Sequence, residues 1–233
     1  MDTSRFTVAV ALAHAAETIS QPRTLQETLD AIVHAARTSL PEFGHVSISE
    51  RHRDGRIETT AGTDQLPWDL DALQYELRQG PCVEALEHEP VVLVEHLRHE
   101  QRWPDYVPQA AAAGVRCQMG VRLFSEGRHV GGLNLYSTDH DEVDPDTAAT
   151  ARLLATHVGV VLGHVQQEHH LNQALHHRKV IGQAIGIVME RYRIDPDRAF
   201  QFLVRASSTG HVKLRDLAEE LVASSTESYR VEA

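Results

Sequence analysis

The sequence predicts an α+β domain that is joined by a long helix to a small bundle of three helices. Helical apolar spacing and strand-like alternation both occur before residue 140, which predicts a mixed first domain. From residue 144 to residue 181, proline and glycine are almost absent, as expected of one continuous helix. Residues 177–223 then contain three amphipathic segments separated by two stops, which predicts the bundle.

The composition is that of an ordinary soluble globular protein. Hydrophobic residues make up 42% of the 233 residues and charged residues 24%, enough for one large core or two small ones. Cys82 and Cys117 do not make a disulfide framework and fit a reduced compartment. No later run approaches about 18 apolar residues, so we expect a cytoplasmic protein without a membrane span.

Residues 6–16 are apolar and rich in small side chains, which could indicate a secretory signal. The flanking charge does not fit this interpretation, because Asp2 offsets Arg5. Apolar residues in the segment also recur at helical spacing. We therefore predict an amphipathic first helix, with the secretory signal as the alternative.

The first domain is predicted to mix helices with a mainly antiparallel sheet. Helical patterns cover residues 24–40, 64–79 and 103–113. Strand patterns cover residues 45–50, 57–61, 91–94, 115–124 and 129–137. Turn signals at residues 53–56 and 125–127 join two pairs of these strands as hairpins. Such a mixture defines an α+β domain.

The long segment 144–178 is predicted to be a helix that also pairs two chains. Residues with the a and d spacing of a coiled coil are Val158, Val161, Val165, Asn172 and Leu175. Because a polar Asn at such a position can fix the register, we predict a parallel homodimer through this helix. A monomer whose apolar stripe packs on its own sheet is the alternative.

Three helices are predicted after it. The first covers residues 178–192, the second begins at the N-cap residue Asp195, and the third follows a stop at residues 207–210. In the first helix, Gly182 and Gly186 should each cost close to 1 kcal/mol relative to alanine. Close approach of another backbone would explain this cost, and tight packing inside the bundle is the alternative.

The charge is distributed unevenly along the chain. Between residues 178 and 215, eight Lys and Arg residues stand against three acidic residues, a net charge of +5 in a chain of net charge −11. A basic segment can attract phosphate beside an acidic domain, because charges are screened over about 8 Å at physiological salt. A solvated surface of ordinary helices is the alternative.

A motif covers most of the basic segment. It consists of Arg178, residues 181–189 and 199–203, Ser207, and residues 213–218. In these positions the chain resembles the ANTAR module, a three-helix RNA-binding output domain of bacterial transcription antiterminators. Two positions depart from the family pattern: Ile185 stands where a lysine is usual, and His211 where an asparagine is usual.

The ANTAR resemblance implies a partner, structured stem-loop RNA. Charge and resemblance together select the RNA-binding candidates Arg178, Lys179, Gly182, Gln183, Gly186, Arg191, Tyr192, Lys213 and Arg215. The two glycines would permit close approach, and the cations would contact phosphates. The missing lysine at residue 185 removes one cation from this set.

Three phrases earlier in the chain point to a second family. They are DALQYELRQGPCVEAL at residues 71–86, RWPDYVPQAAAAGVR at residues 102–116 and VGGLNLYST at residues 130–138. These phrases resemble the GAF fold, and more narrowly the GAF domains fused to ANTAR in actinobacteria. The resemblance implies a five- or six-stranded antiparallel sheet with flanking helices and a cavity that often contains a small regulatory ligand, here unidentified.

The two resemblances divide the chain into three parts. We predict a GAF sensor domain with its N-terminal helix at residues 1–165, an ANTAR domain at residues 166–225 and a flexible tail at residues 226–233. The fold class is thus α+β, a GAF-type antiparallel sheet with flanking helices, joined by a long helix to a C-terminal three-helix ANTAR bundle.

No catalytic or metal motif was found. Nucleophile elbow, Walker loop and dinucleotide fingerprint are missing, and the histidines between residues 164 and 177 contain no i, i+4 pair. We therefore predict no enzyme, no metal and no cofactor besides the GAF ligand. The candidates for sensing are Cys82, Trp103, Tyr106 and Tyr136.

Cys82 follows Pro81 at the start of a short helix, where the dipole could favour a reactive thiolate. A buried inert cysteine is the alternative, and Trp103 and Tyr106 could equally be packing residues. The whole sequence predicts a dimeric, cytoplasmic regulator that binds structured RNA and permits transcription past a terminator. The rival hypothesis is a redox or small-ligand sensor whose degenerate ANTAR module contacts a protein.

Overall fold

The computed structural model describes residues 24–52, 54–125 and 128–231. The chain divides into two compact units, an N-terminal unit of residues 1–166 and a C-terminal unit of residues 167–233. The predicted first helix at residues 6–16 lies outside the described residues.

The N-terminal unit is built on a five-stranded antiparallel sheet with the order β2-β1-β5-β4-β3. Its strands are β1 (His45–Arg51), β2 (Ile57–Gly62), β3 (Val91–Val94), β4 (Cys117–Ser125) and β5 (Arg128–Ser137). Among the described residues before the long C-terminal helix of this unit, the helices are α1 (Leu25–Ser39), α2 (Gln65–Leu77), α3 (Pro81–Glu87) and α4 (Val107–Ala112), with a 3-10 turn at Leu97–His99. The predicted α+β class is confirmed.

Local chemistry explains where these helices begin. Thr24 caps α1 in a reciprocal capping box, since its side chain accepts from the Glu27 N–H and the Glu27 carboxylate accepts from the Thr24 N–H. Asp64 caps α2 with one bond, because its side chain accepts from the N–H of Leu66. The helix predicted at residues 103–113 is shorter than expected, because α4 begins only at Val107, with Pro108 in its first turn.

The two faces of the sheet carry different residues. One face is apolar: alternate residues such as Leu133 and Leu135 pack with α1 and with Leu154 and Val158 of the long helix that follows β5 in the chain. The opposite face carries polar residues on β1, β2 and β5, and α2 and α3 pack over it. A second hydrophobic cluster, which includes Val92 and Val94 of β3, lies on this side as well. The unit therefore has a hydrophobic core on one side of the sheet, and buried polar residues beside a second hydrophobic cluster on the other.

The long helix α5 (Pro145–Tyr192) confirms the continuous helix expected from the scarcity of proline and glycine. By length and composition alone, it is the one helix among the described residues that could cross a membrane. A core helix of a soluble protein passes the same test, and Ala151, Leu154, Val158 and Leu162 are buried. The helix is therefore weak evidence for a membrane span.

Burial corrects the residues predicted to form the dimer seam. Val158 is fully buried in the core of the N-terminal unit, and Val161 packs partly against the same core. Val158 cannot face a second chain, because its own sheet already covers it. Of the predicted seam residues, Leu175 is exposed, and the other exposed large apolar residues of α5 are Leu153, Val160, Leu171 and Tyr192.

The C-terminal unit contains the end of α5 followed by α6 (Pro196–Gly210) and α7 (Leu214–Val231). Asp195 caps α6 by accepting from the N–H of Arg198, as its position before Pro196 predicted. The small core of this unit is formed by Val180, Ala184, Val188, Ala199, Leu203 and Ala218. Three helices around one core confirm the predicted bundle.

Two predicted boundaries in this unit differ from the structure. Residues 207–210, predicted as a stop, form the last turn of α6, and the helix ends at His211 in a left-handed conformation with φ 52°. The Ser207 hydroxyl donates to the carbonyl of Val212, which ties the turn to the helix end. Residues 226–231, predicted as part of a tail, continue α7.

Candidate functional sites

The C-terminal unit exposes every residue that the sequence selected for RNA binding. These residues are Arg178, Lys179, Gly182, Gln183, Gly186, Arg191, Tyr192, Lys213 and Arg215. They do not share one face, however. Gln183 is on the side of α5 near His176, whose ring lies 3.9 Å from Glu219 of α7, whereas Tyr192 contacts Phe202 of α6. The candidates on α5 are thus spread around the exposed side of that helix, and Lys213 and Arg215 lie at the start of α7.

The cations of this surface differ in their pairing. Arg193 lies 3.3 Å from Glu190, Arg198 3.4 Å from Asp195 and Arg215 2.9 Å from Asp216. In the part of the chain that the structure describes, no ion pair within 4.0 Å involves Arg178, Lys179, Arg191 or Lys213. These four exposed cations are available to a partner, and Lys213 is the better phosphate contact of the Lys213 and Arg215 pair.

The two costly glycines have no neighbour that explains them. A Cβ atom built on Gly182 or Gly186 would meet nothing within 4 Å. Tight packing inside the bundle, the alternative considered from the sequence, is therefore wrong. Approach of an outside partner, the other interpretation, stays a prediction.

Ile185, which stands where the ANTAR pattern usually has a lysine, packs partly buried against the small core. The chain uses this position for apolar contact, so the cation it lacks is replaced by packing between the helices.

The structure adds residues that the sequence analysis missed. Phe200 and Phe202 are each 43% exposed, although both were assigned to an amphipathic helix. A signal was available: residues two apart on a helix point about 200° away from each other, so one apolar face cannot cover both. The ring of Phe202 lies 5.2 Å from that of Tyr192, centroid to centroid.

A second candidate site lies on the polar face of the sheet in the N-terminal unit. The polar cluster, as we define it, consists of Ser47, Ser49, Thr59, Asp71, Gln74, Asn134 and Tyr136. At its centre is Asp71 of α2, which is completely buried. Strands β1, β2 and β5 supply the groups around this carboxylate.

Four side chains donate hydrogen bonds to the Asp71 carboxylate. Ser47 donates at 2.6 Å, Thr59 at 2.7 Å and Asn134 at 3.0 Å. The Tyr136 hydroxyl also donates to this carboxylate. Burial raises the pKa of Asp71 above its ordinary value, and the hydrogen bonds oppose this shift only in part.

Gln74 connects the polar cluster to α3. Its amide nitrogen donates to the Tyr136 hydroxyl at 3.0 Å, and its carbonyl accepts from the Cys82 N–H at 2.8 Å. Nearby, the Tyr106 hydroxyl donates to Gln118 at 2.6 Å. Tyr106 and Tyr136 are thus fully buried with satisfied hydroxyl groups, as packing residues should be.

The structure contradicts the reactive thiolate predicted for Cys82. Burial, with a smaller contribution from the charge of Asp71, raises the pKa of this thiol to about 12. A short helix start cannot offset complete burial, because an ion loses its hydration there. The alternative of a buried, inert cysteine is the better interpretation.

Trp103 is also buried, and the Arg102 guanidinium carbon lies 4.4 Å above its ring.

A separate open cleft of about 400 Å³ is lined by Arg98, Glu100, Gln101, Pro104, Val107, Pro108 and Ala111. None of the four sensing candidates lines this cleft. Among the described residues, no group of three His, Cys, Asp or Glu side chains could hold a metal ion.

Comparison with known families identifies both units. The GAF domain model matches residues 22–163, and the ANTAR domain model matches residues 169–222. A comparison with curated protein sequences finds no match.

Solved structures share the fold at low sequence identity. The phytochrome photosensory core module of Stigmatella aurantiaca is 14% identical with a TM-score of 0.58, and the match covers 85% of this chain but 44% of that one. The free methionine-R-sulfoxide reductase from Neisseria meningitidis is 18% identical with a TM-score of 0.56, over 72% of this chain and 95% of that one.

The GAF domain of an Acinetobacter phosphoenolpyruvate-protein phosphotransferase is 17% identical with a TM-score of 0.54, over 72% of this chain and 97% of that one. The chain therefore spans less than half of the phytochrome module and nearly all of the single GAF domain. Since one family model covers more than half of the residues, the chain belongs to the GAF domain family and carries an ANTAR domain after it.

Proposed function

We propose that the protein is a cytoplasmic regulator that binds stem-loop RNA through its ANTAR domain and thereby permits transcription past a terminator. The single observation that supports this function best is the set of four exposed cations without an ion pair on a matched ANTAR domain. Hairpin loops offer unpaired bases and closely spaced phosphates to such a surface. The family match to two regulatory domains supports a protein that catalyses no reaction.

A salt titration tests the RNA contact. Affinity for a stem-loop RNA should fall steeply with added salt, and Lys213→Ala with Arg215→Ala should weaken binding and lower the slope of log affinity against log salt by about 1 to 2. Arg37→Ala with Arg152→Ala is the control, because it removes the same two charges from exposed positions in the N-terminal unit. If the native protein retains no stem-loop RNA at low salt, the RNA function is wrong.

We propose that the GAF domain senses a small ligand, whose identity is open. The residues that such a ligand would meet between the sheet and α2 or α3 are those of the polar cluster. A library of metabolites can be screened by the shift in thermal unfolding, since a ligand that binds the folded state stabilises it. A true hit should lose its shift in Asp71→Asn.

The redox version of the rival hypothesis loses support, because Cys82 is buried and its pKa is raised.

Homodimerisation through residues 144–178 stays a proposal with a different seam. The exposed leucines Leu153, Leu171 and Leu175 are the side chains a second copy would cover. Leu171→Glu with Leu175→Glu should convert a dimer to a monomer in sedimentation, whereas an unchanged mass would contradict this seam.

A further inference from the structure

Two exposed aromatic rings touch each other on the ANTAR domain. Tyr192 is 53% exposed and Phe202 43% exposed, and their ring centroids lie 5.2 Å apart at an interplanar angle of 39°. Neither residue belongs to the small core of this unit. Large apolar faces that remain in water indicate a partner surface, since the fold gains little from them.

Cations lie beside this aromatic pair. On α6, Arg198 precedes Phe202 by four residues and Arg205 follows it by three, so both lie within about 60° of Phe202 around the helix. Arg205 makes one long hydrogen bond, 3.4 Å, to the carbonyl of Gln201, and Arg198 is held only by the exposed pair with Asp195. Both guanidinium groups can turn toward a ligand at little cost.

The other flank of the same helix is different. Phe200 is as exposed as Phe202, but its helical neighbours on that side are Val204 and Asp197. An acidic and apolar flank does not attract a phosphate chain. The two phenylalanines thus form a matched pair in which only Phe202 has cations beside it.

We propose that Tyr192 and Phe202 form a stacking site for an unpaired nucleobase of the RNA loop, with Arg198 and Arg205 contacting the phosphates next to that base. Single-stranded bases bind proteins through aromatic faces combined with cations. The inference rests on the proposed RNA function. It gives the candidate Tyr192 a specific role and adds three contact residues, Phe202, Arg198 and Arg205.

The probe is a library of hairpin RNAs with a fixed stem and a randomised loop of about eight nucleotides. The hairpin that binds the full-length protein best is then measured with variants. Phe202→Ala should weaken binding roughly 5- to 150-fold, the range that corresponds to one stacked base. Phe202→Trp should restore binding, and Phe200→Ala should leave it within about twofold of the native value.

Salt separates stacking from charge. The ring carries no charge, so Phe202→Ala should leave the slope of log affinity against log salt unchanged. Arg205→Gln should reduce that slope by about 1, the value expected for the loss of one phosphate contact. A purely structural role of Phe202 would lower the binding-competent fraction, which thermal unfolding of each variant detects. Tyr192→Ala repeats the test from a different helix if Phe202→Ala unfolds.

Abasic substitutions in the loop identify the stacked base. Removing that base should weaken binding to the native protein and to Phe200→Ala, but should cost little further in Phe202→Ala, because the same contact is already lost. If the native protein binds a hairpin and both Phe202→Ala and Tyr192→Ala bind equally well, the stacking site is wrong and the RNA function stands. If the native protein binds no hairpin, both fail.

Discussion

The two units place the same residue types under opposite conditions. In the N-terminal unit, a Cβ atom on Gly120, Gly131 or Gly159 would lie 2.5, 2.4 or 2.3 Å from a backbone oxygen of a neighbouring element. In the C-terminal unit, a Cβ atom on Gly182 or Gly186 would meet nothing within 4 Å. Internal packing explains glycine at these three positions of the first unit and does not explain it at residues 182 and 186 of the second.

The tyrosines differ between the two units. Tyr106 and Tyr136 are fully buried and bond through their hydroxyl groups, whereas Tyr192 is 53% exposed. The comparison teaches that the N-terminal unit packs these glycines and tyrosines against its own elements, whereas the C-terminal unit leaves Gly182, Gly186 and Tyr192 in solvent.

The largest effect is expected at the centre of the polar cluster. Asp71→Ala removes the acceptor of four buried donors and should lower the free energy of unfolding by about 3 to 5 kcal/mol. Urea unfolding measures this. Asp69→Ala, which changes an exposed carboxylate on the same helix, is the control. A loss below about 1 kcal/mol would mean that the cluster is solvated and the comparison with the second unit fails.

Asp71 also predicts a pH dependence. Because its folded pKa is raised above the ordinary value of 3.8, its contribution to stability is complete below that value and is lost as the pH rises through the folded pKa. The difference in unfolding free energy between the native protein and Asp71→Asn should therefore shrink with rising pH. If this difference in unfolding free energy instead grows as the pH rises above 3.8, the folded pKa of Asp71 is lowered and not raised.

The next largest effect is expected in the rate at which the Cys82 thiol is alkylated. With its pKa raised from 9.0 to about 12, the thiolate fraction at pH 8 falls about a thousandfold, so alkylation by iodoacetamide should be slower by at least that factor than for a model thiol. A Cys117→Ala protein makes the rate specific to Cys82. Rapid alkylation of the folded protein would show that α3 leaves the thiol accessible.

Gly120→Ala should destabilise the N-terminal unit by about 1 to 3 kcal/mol. The added methyl group would overlap the Pro81 carbonyl on α3, which cannot move without disturbing the contact between helix and sheet. Gly44→Ala is the matched control, because nothing lies within 4 Å of the added atom. Thermal unfolding measures the difference. Equal midpoints for Gly120→Ala and Gly44→Ala would contradict the claim that internal packing requires glycine at residue 120.

The smallest effect has the opposite sign. Gly182→Ala and Gly186→Ala should each raise the stability of the C-terminal helices by up to about 1 kcal/mol, because alanine restricts the unfolded chain and meets no obstacle. Helix content against temperature measures this gain. The same variants should bind stem-loop RNA more weakly if a partner backbone approaches the glycines. Unchanged affinity would place the partner on another side of α5.

Much of the fold could be predicted from the sequence, because the signals are local. The alternation in β4 and β5, the cap at Thr24 and the break at the end of α2 each involve residues close together in the chain. The stop predicted between the second and third helices is present, but it lies at residues 211–213 and not at residues 207–210. Serine, threonine and glycine tolerate a last helical turn, and the left-handed His211 decided the end.

Periodicity could not decide what covers an apolar stripe. Val158 has coiled-coil spacing, yet the sheet of its own unit buries it completely. The same spacing is expected for a helix on a sheet and for a helix on a second helix, so the sequence left both open. The sequence likewise left a reactive and a buried, inert Cys82 open, and burial favours the inert one, because a helix start is a local feature and burial is not.

By itself the sequence determined the helices and strands, the basic segment between residues 178 and 215 and the likeness to two families. Capping, turns and alternation act between neighbours in the chain. Only the tertiary structure decided that Ser47, Asp71 and Asn134 meet in one buried cluster, since they are 24 to 87 residues apart. It also decided that Tyr192 and Phe202 stay in solvent, because exposure depends on how helices distant in sequence pack around a small core.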